Sequence, residues 1–173
     1  MKNIFILLFI LTSTVQVFAQ TNTYDIIDPS HVIIRKTGLA MTNNITYGST
    51  VQDMVTAFGQ YSSTSTEYWE MSDVNVNVYK YGTDATFTFE NSKLRLIEIF
   101  TSNFYIGKVG HLVYIKPGEN ISTLQSSFPT SYANRINHHG AIVLRFGLSE
   151  AVIVVRYNPS TNIITKIEQS TGS

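Results

Sequence analysis

The chain has 173 residues, with 12 basic and 12 acidic side chains that balance to a formal net charge of zero. This balance argues against nucleic acid and anionic lipid as partners, because both attract proteins through an excess of basic residues. The sequence contains no cysteine. That excludes disulfide bonds and thiolate metal ligands, so the stability of the fold must come from its hydrophobic core.

The N-terminal segment has the pattern of a secretory signal peptide. Lys2 provides a positive charge, an apolar run extends from Ile4 to Leu11, and Val17 and Ala19 mark a cleavage site. The apolar run is too short to cross a bilayer, so we expect residues 1–19 to be removed during export. The alternative is an N-terminal helix buried in the fold. Export predicts a periplasmic or extracellular protein with no integral membrane segment in the mature chain.

The mature chain, residues 20–173, is predicted to be a single domain with an internal duplication. Residues 20–44 form a leader and a first strand, followed by one repeat at 45–115 and a second at 116–173. An ungapped similarity at an offset of about 70 residues is the evidence, since such periodicity indicates a duplicated supersecondary unit. The matched pairs include Gly48 and Gly118, Met54 and Leu124, Phe58 and Phe128, and Leu94 and Ile164.

A short amphipathic helix is predicted over Ser49–Phe58. Its apolar positions, at i, i+3, i+4 and i+7, are Val51, Met54, Val55 and Phe58. Ser49 or Thr50 can cap its start, and Gly59 can end it.

The second repeat is predicted to contain the corresponding helix. Its apolar positions are Ile121, Leu124 and Phe128. Asn120 is the expected N-cap, and Pro129 is the expected end of the helix.

After each helix the apolar pattern changes to a period of two, which predicts antiparallel strands. The predicted strands cover 31–41, 74–79, 86–90, 94–100, 111–115, 141–146, 151–157 and 163–168. A single helix on a three-stranded meander cannot bury its apolar side alone, whereas two such units can join their strands. We therefore expect an α+β fold in which two tandem helix-plus-antiparallel-meander repeats form one twisted antiparallel sheet. The helices are expected on one face and solvent on part of the other.

Two segments of the first repeat suggest a family. The helix Gly48-Ser-Thr-Val-Gln-Asp-Met54 ends in Phe58-Gly59, and a strand pair reads Thr86-Phe-Thr-Phe-Glu-Asn-Ser-Lys-Leu94. These segments resemble the tandem-repeat modules of β-lactamase inhibitor protein-like (BLIP-like) folds and of the SmpA/OmlA envelope proteins. The resemblance implies helices packed on a concave sheet that often binds another protein. The chain lacks the lipidation cysteine of the SmpA/OmlA proteins.

No residue pattern in the chain indicates catalysis or a metal centre. His138 and His139 are adjacent, and neighbours on a strand point to opposite faces, so one zinc ion would rarely bind both. Glu67, Glu70 and Asp73 are close in sequence, but their polar and aromatic neighbours suggest a loop or strand edge. There is no Gly-x-Ser-x-Gly motif. We therefore predict a protein that is not an enzyme and has no cofactor.

Trp69, Tyr79 and Tyr81 are the predicted binding residues. Alternation places Tyr79 and Tyr81 on the face opposite Val76 and Val78. If the valines pack beneath the helix, the tyrosines face outward, where large aromatic side chains favour protein contacts. Ordinary cross-strand packing is the competing interpretation.

The predicted function is that of a secreted or periplasmic, non-catalytic binding module. It would dock an envelope or extracellular protein on the open sheet face. The alternatives are a structural envelope protein without a dedicated ligand and a glycan-binding module, since aromatic rings also stack on sugars.

Overall fold

The structure, a computed structural model, describes residues 24–70, 72–108, 114–147 and 150–170. The predicted signal peptide lies outside these residues. The strands and α-helices in chain order are β1 (Ile26–Ile27), β2 (Val32–Lys36), β3 (Asn44–Thr46), α1 (Val51–Phe58), β4 (Ser63–Trp69), β5 (Val74–Tyr81), β6 (Ala85–Glu90), β7 (Lys93–Ile99), β8 (Phe104–Lys108), β9 (Tyr114–Ile115), α2 (Pro129–Asn134), β10 (Ala141–Phe146), β11 (Val152–Asn158) and β12 (Ile163–Ser170). Three 3₁₀ segments cover Pro29–His31, Ile121–Leu124 and Arg135–His138.

The strands form two sheets. The larger has eight strands in the order β1-β10-β11-β12-β7-β6-β5-β4, and the smaller has four in the order β3-β2-β8-β9. Within the larger sheet, β1 pairs with β10 in parallel, and the other pairings are antiparallel. The meander β5-β6-β7 joins the meander β10-β11-β12 where β7 pairs with β12.

The predicted α+β fold of two helix-plus-meander repeats is wrong. The described residues are mostly β, with 49% strand and 18% helix, and the large sheet is mixed rather than purely antiparallel. A second sheet, which the prediction lacked, combines the strands around residues 32–46 with those around 104–115. In the second repeat, the predicted helix is replaced by the 3₁₀ segment Ile121–Leu124, and α2 begins only at Pro129.

Some backbone contacts do recur at the offset of about 70 residues that relates the matched segments. The Gly48 N–H donates to the Leu94 carbonyl at 3.1 Å, and the Gly118 N–H donates to the Ile164 carbonyl at 2.8 Å. Isolated bridges also join Thr50 to Lys93 and Asn120 to Ile163. The sequence similarity therefore reflects how each segment is attached to the large sheet, and it does not extend to the helix that follows.

Helix α1 forms because its start is capped and one side is apolar. Thr50 and Asp53 make a reciprocal capping box, in which each side chain accepts from the other residue's backbone N–H. Met54, Ala57 and Phe58 are buried. Such a cap satisfies N–H groups that the first turn leaves unpaired, and packing supplies most of the stability of so short a helix.

The core is a cluster of buried side chains drawn from both sheets and α1. Phe58 of α1 contacts Phe87 of the large sheet and Phe104 of the small sheet, at ring-centroid distances of 5.9 and 5.4 Å. Phe87 and Phe104 also contact each other at 5.6 Å. This aromatic centre fixes which face of the large sheet is the inner one.

Among the described residues, no helix is long and apolar enough to cross a membrane.

Candidate functional site

The predicted binding residues lie on different faces of the large sheet. In the β4–β5 ladder, Trp69 is opposite Val74, and Tyr79 is opposite Thr64. Directly opposed residues share a face, and alternate residues along a strand do too. Trp69 therefore lies on the outer face with Val74, whereas Tyr79 and Tyr81 lie on the inner face.

Tyr81 is part of the core, so the expectation that it faces outward is wrong. Its side chain is 6% exposed, and its hydroxyl donates to the Gly59 carbonyl at the end of α1, at 2.7 Å. Its ring contacts Phe58, Phe87 and Phe104. Burial, with a smaller effect of nearby Tyr61, raises the pKa of Tyr81 to about 12, so the hydroxyl remains a donor at neutral pH. In the folded protein, Tyr81 secures the end of α1 and is closed to a partner.

Tyr79 is half-buried between two aromatic neighbours. Its ring lies edge-on to Tyr61 at 4.8 Å and to Phe89 at 5.4 Å. Val76 and Val78 are buried on the opposite face, but they do not belong to the main core cluster. The assumption that the valines pack beneath the helix is therefore wrong. The aromatic side chains pack there instead, because they meet the rings of α1 and of the small sheet.

The outer face of the large sheet has a group of charges at its centre. Glu168 pairs with Arg156 and with Lys166, both at 2.5 Å, and Lys166 also pairs with Glu98 at 2.6 Å. Burial raises the pKa of Glu168, but hydrogen bonds from Lys166 and Arg156 outweigh it and hold that pKa below its usual range. Because these four charges pair with one another, they offer little to a charged partner.

The end of the large sheet at β4 is more accessible. All of β4 is exposed except Trp69, which is half-exposed. The strand pairs with β5 through seven aligned residues without a bulge, and no other described strand pairs with its outer edge. Next to Trp69, the residue Tyr68 is 57% exposed, and its hydroxyl donates to Asp73 at 2.6 Å. This edge offers unpaired backbone groups together with aromatic side chains.

The residues considered for metal binding or catalysis do not assemble into a site. The rings of His138 and Tyr24 are tilted against each other with centroids 5.6 Å apart, and His139 follows in a left-handed conformation with φ of +46°. Glu67 lies on the exposed edge strand. In the described part of the chain, no group of three or more histidine, aspartate or glutamate side chains is placed to hold a metal ion.

A cleft of about 870 Å³ opens between the β6–β7 turn, residues 150–151 just before β11, and the end of β12. It is lined by Pro29, Tyr47, Gly48, Glu90, Asn91, Lys93, Leu94, Arg95, Phe146, Glu150, Ala151 and Gln169. Two buried polar atoms, the Tyr47 hydroxyl and Gln169 Oε1, have no hydrogen-bond partner among the described residues. Such atoms are rare in folded proteins.

Sequence reasoning missed this cleft, although one signal could have revealed it. Gln169 lies one residue beyond the predicted last strand and matches Ile99 at the offset that relates the repeats. Ile99 is fully buried, and Gln169 is 8% exposed. A polar residue at a position where its counterpart is a core isoleucine is unusual, and it directs attention to the surroundings of Gln169.

Comparison with known proteins gives no functional assignment. No protein-family model matches the chain, and no curated protein matches it either. A solved cysteine-rich secretory protein from Staphylococcus aureus is similar over 85% of this chain, with 10% sequence identity and a TM-score of 0.41. The match spans 50% of that protein. A similarity this low does not establish a shared fold, so the function has to be argued from the sites.

Proposed function

We propose that the protein is an exported, non-catalytic binding module that docks an extended segment of a protein partner along β4. The observation that supports this most directly is the free edge of that strand. β4 is seven residues long, regular and exposed. An added strand would gain main-chain hydrogen bonds along such an edge, and pockets or rings beside it would select the partner's side chains.

The composition of β4 also favours docking. Proteins usually protect a long sheet edge with lysine, proline or a bulge, because an unprotected edge pairs with other chains. β4 contains no lysine and no proline, and its one charged residue is Glu67. Tyr68 and Trp69 stand at its end, where amphipathic rings provide contact area at low entropic cost.

The proposal is tested by photo-crosslinking in envelope and medium fractions of the source cells. A benzophenone side chain at Ser65, on β4, should capture a partner, whereas the same group at exposed Ser126 should not. The double variant Thr64→Lys and Thr66→Lys protects the edge and should reduce capture from Ser65 by about tenfold or more.

The matched control adds the same two charges elsewhere. Gln52→Lys with Gln125→Lys changes exposed residues outside the strands and should leave capture unchanged. Equal capture by the two double variants would overturn the proposal, as would a failure of Ser65 to capture any protein.

Self-association through the same edge is the second candidate. It is favoured because Glu67 is the only charge on β4, so two copies can pair in antiparallel registers that keep the two carboxylates apart. Size-exclusion chromatography with light scattering would show a dimer that dissociates in the Thr64→Lys and Thr66→Lys variant. A monomer at high concentration would exclude this candidate.

The glycan-binding alternative has less support. It depended on a row of outward aromatic rings, but Tyr81 is buried and Tyr79 is packed between rings. Tyr68 and Trp69 are what remains of that row for stacking on a sugar.

A further inference from the structure

The free edge of β4 presents a pattern of side chains as well as unpaired backbone groups. Alternate residues of a strand share a face, so Glu67 and Trp69 lie together on the outer face of the large sheet. Thr66 and Tyr68 lie on the inner face. A strand added to this edge would place its own alternate residues directly beside these two rows. The side chains of β4 therefore constrain the sequence of a segment that docks there.

Glu67 carries a charge that no described residue neutralises. It is exposed and forms no ion pair within the described part of the chain. Its neighbour on β5 is Val76, and the next residue in the same row is Glu90, a second carboxylate that is already paired with Arg95 at 3.5 Å. Lys80 is the one cation of β4 and β5, and it lies four positions along the ladder, about 13 Å away. The outer side of the edge is therefore open to a positively charged side chain.

Trp69 offers an apolar contact on the same face, two residues from Glu67. It is half-exposed, and its neighbour on β5 is the half-exposed Val74. An aromatic or large aliphatic side chain beside Trp69 would bury more of the ring, and such cross-strand pairs are favourable. Because Glu67 and Trp69 share one face, the residues that meet them must also be two positions apart in the added strand.

We propose, on the basis of the docking function proposed above, that the docked segment carries an aromatic or large aliphatic residue beside Trp69 and a lysine or arginine beside Glu67. In the antiparallel orientation, which is the commoner one, the apolar residue precedes the basic residue by two positions. The remaining residues are threonine or other β-branched residues, which favour an extended backbone. A second copy of this chain does not fit the pattern, because β4 has no basic residue of its own.

Three peptides with blocked termini are the probes for this pattern. The matching peptide, Phe-Val-Lys-Thr-Thr-Val-Thr, has the ring and the lysine two positions apart. The isomer, Phe-Val-Thr-Lys-Thr-Val-Thr, has them three positions apart, so they face opposite sides of an extended strand. The glutamate peptide, Phe-Val-Glu-Thr-Thr-Val-Thr, reverses the charge. Trp69 is the only tryptophan of the chain, so tryptophan fluorescence reports binding at this end of β4.

The emission of Trp69 should change saturably with the matching peptide. The isomer should bind about fivefold more weakly, and the glutamate peptide about tenfold more weakly, because an opposed pair of charges changes from attraction to repulsion. The preference for lysine should shrink at high salt, since the pair is exposed. Equal binding of the matching peptide and either of the others would overturn the inference, as would the absence of saturable binding by the matching peptide. Photo-capture from Ser65 tests docking itself, so a captured partner together with unselective peptides would reject the pattern and leave the docking function standing.

A charge exchange locates the contact. Glu67→Lys should reverse the preference, so that the glutamate peptide binds about tenfold more tightly than the matching peptide. Glu119→Lys makes the same change of charge between β9 and the 3₁₀ segment Ile121–Leu124, and it should keep the wild-type preference. If Glu67→Lys also kept that preference, the lysine of the peptide would lie elsewhere and the pattern would be wrong. The comparison of the matching peptide with its isomer uses the wild-type protein, so it decides the outcome even if Glu67→Lys does not fold.

Discussion

The two segments matched by the internal similarity, Val51–Phe58 and Ile121–Phe128, begin alike and end differently. Each follows a glycine whose N–H donates to the large sheet, and each buries its equivalent apolar side chains, Met54 and Leu124 among them. The first is an α-helix, whereas the second is a short 3₁₀ turn. The residues that attach a segment to the sheet therefore do not determine whether it forms an α-helix or a 3₁₀ turn.

The difference begins at the caps. In the first segment, the carboxylate of Asp53 accepts from the backbone N–H of Thr50 at 2.7 Å, which completes the capping box. In the second, Asn120 accepts from Ser122 at 2.9 Å, but the residue in the place of Asp53 is Thr123, whose hydroxyl donates back to the Asn120 carbonyl. Without the returning carboxylate, one backbone N–H at the start lacks its usual partner.

The ends differ as well. α1 ends at Gly59, where φ is +83°, a conformation that glycine adopts without strain. The second segment reaches Phe128, which lies outside the helical region at φ −137° and ψ 61°. Pro129 follows it, and a residue before proline is disfavoured in the helical region. The apolar spacing is shared by both segments, but spacing alone does not make a helix.

The largest difference between the segments is expected at their terminal phenylalanines. Phe58→Ala removes a ring that contacts Tyr81, Phe87 and Phe104, and it should cost about 3–5 kcal/mol of unfolding free energy. Phe128 is also buried, but no ring contact of Phe128 is found in the described part of the chain. Phe128→Ala should therefore cost less, about 2–3 kcal/mol. Equilibrium urea denaturation measures both, and an equal loss would show that the segments contribute alike.

The next effect concerns the link between α1 and the sheet. Tyr81→Phe removes the hydroxyl that donates to the Gly59 carbonyl, and it should cost about 1–3 kcal/mol because a carbonyl loses its partner. Tyr79→Phe is the matched control, with an expected change within about 0.5 kcal/mol. Denaturation midpoints of the two variants measure the difference. If Tyr81→Phe were as stable as the wild type, the hydroxyl would have no structural role.

The sequence predicted individual strands better than their assembly. The alternating segments in 74–79, 86–90, 94–100, 141–146, 151–157 and 163–168 correspond to β5, β6, β7, β10, β11 and β12, and the first helix begins within two residues of its predicted start. These are local patterns, and period two or 3.6 identifies them directly. The small sheet depends on the long-range pairing of β2 with β8, which periodicity does not encode.

The candidate site was harder to predict because both faces of β5 are apolar. Val76 and Val78 lie on one face of the strand, and Tyr79 and Tyr81 lie on the other. The alternation alone therefore does not indicate which face is buried against the core. The choice depends on ring contacts with Phe58 and, in a distant strand, Phe104. The hydroxyl of Tyr81 can be buried because the end of α1 supplies a hydrogen-bond acceptor for it. This tertiary contact cannot be predicted from the sequence of β5.

The caps themselves allow a smaller test. Thr50→Ala should cost about 1 kcal/mol, a typical value for the loss of an N-cap. Asn120→Ala should cost about half of that, since the cap of the 3₁₀ segment makes a single bond to the backbone. Equal losses, measured by urea denaturation at neutral pH, would contradict the view that the capping box distinguishes the two segments.

The capping box should also give the first segment a pH dependence that the second lacks. Hydrogen bonds from the Thr50 backbone and then its side chain lower the pKa of Asp53 below its ordinary value of 3.8. A depressed carboxyl pKa stabilises the fold above the unfolded-state value, and this contribution is lost as the pH falls through the folded-state pKa. Asp53→Asn should therefore destabilise the protein at neutral pH, and its difference from the wild type should shrink below pH 3.8. A difference that does not change with pH would contradict this, and thermal midpoints across the acid range measure it.

The smallest effect should be a gain of stability where the repeats differ at Ile99 and Gln169. Gln169 buries an oxygen that has no partner among the described residues, and an unpaired buried polar atom costs stability. Gln169→Leu replaces the amide with an apolar group of similar shape, like its counterpart Ile99, and should stabilise the fold by about 0.5–1 kcal/mol. Thermal unfolding should show a midpoint higher by about 1–4 °C. A loss of stability instead would contradict the view that the Gln169 amide is a destabilising buried polar group.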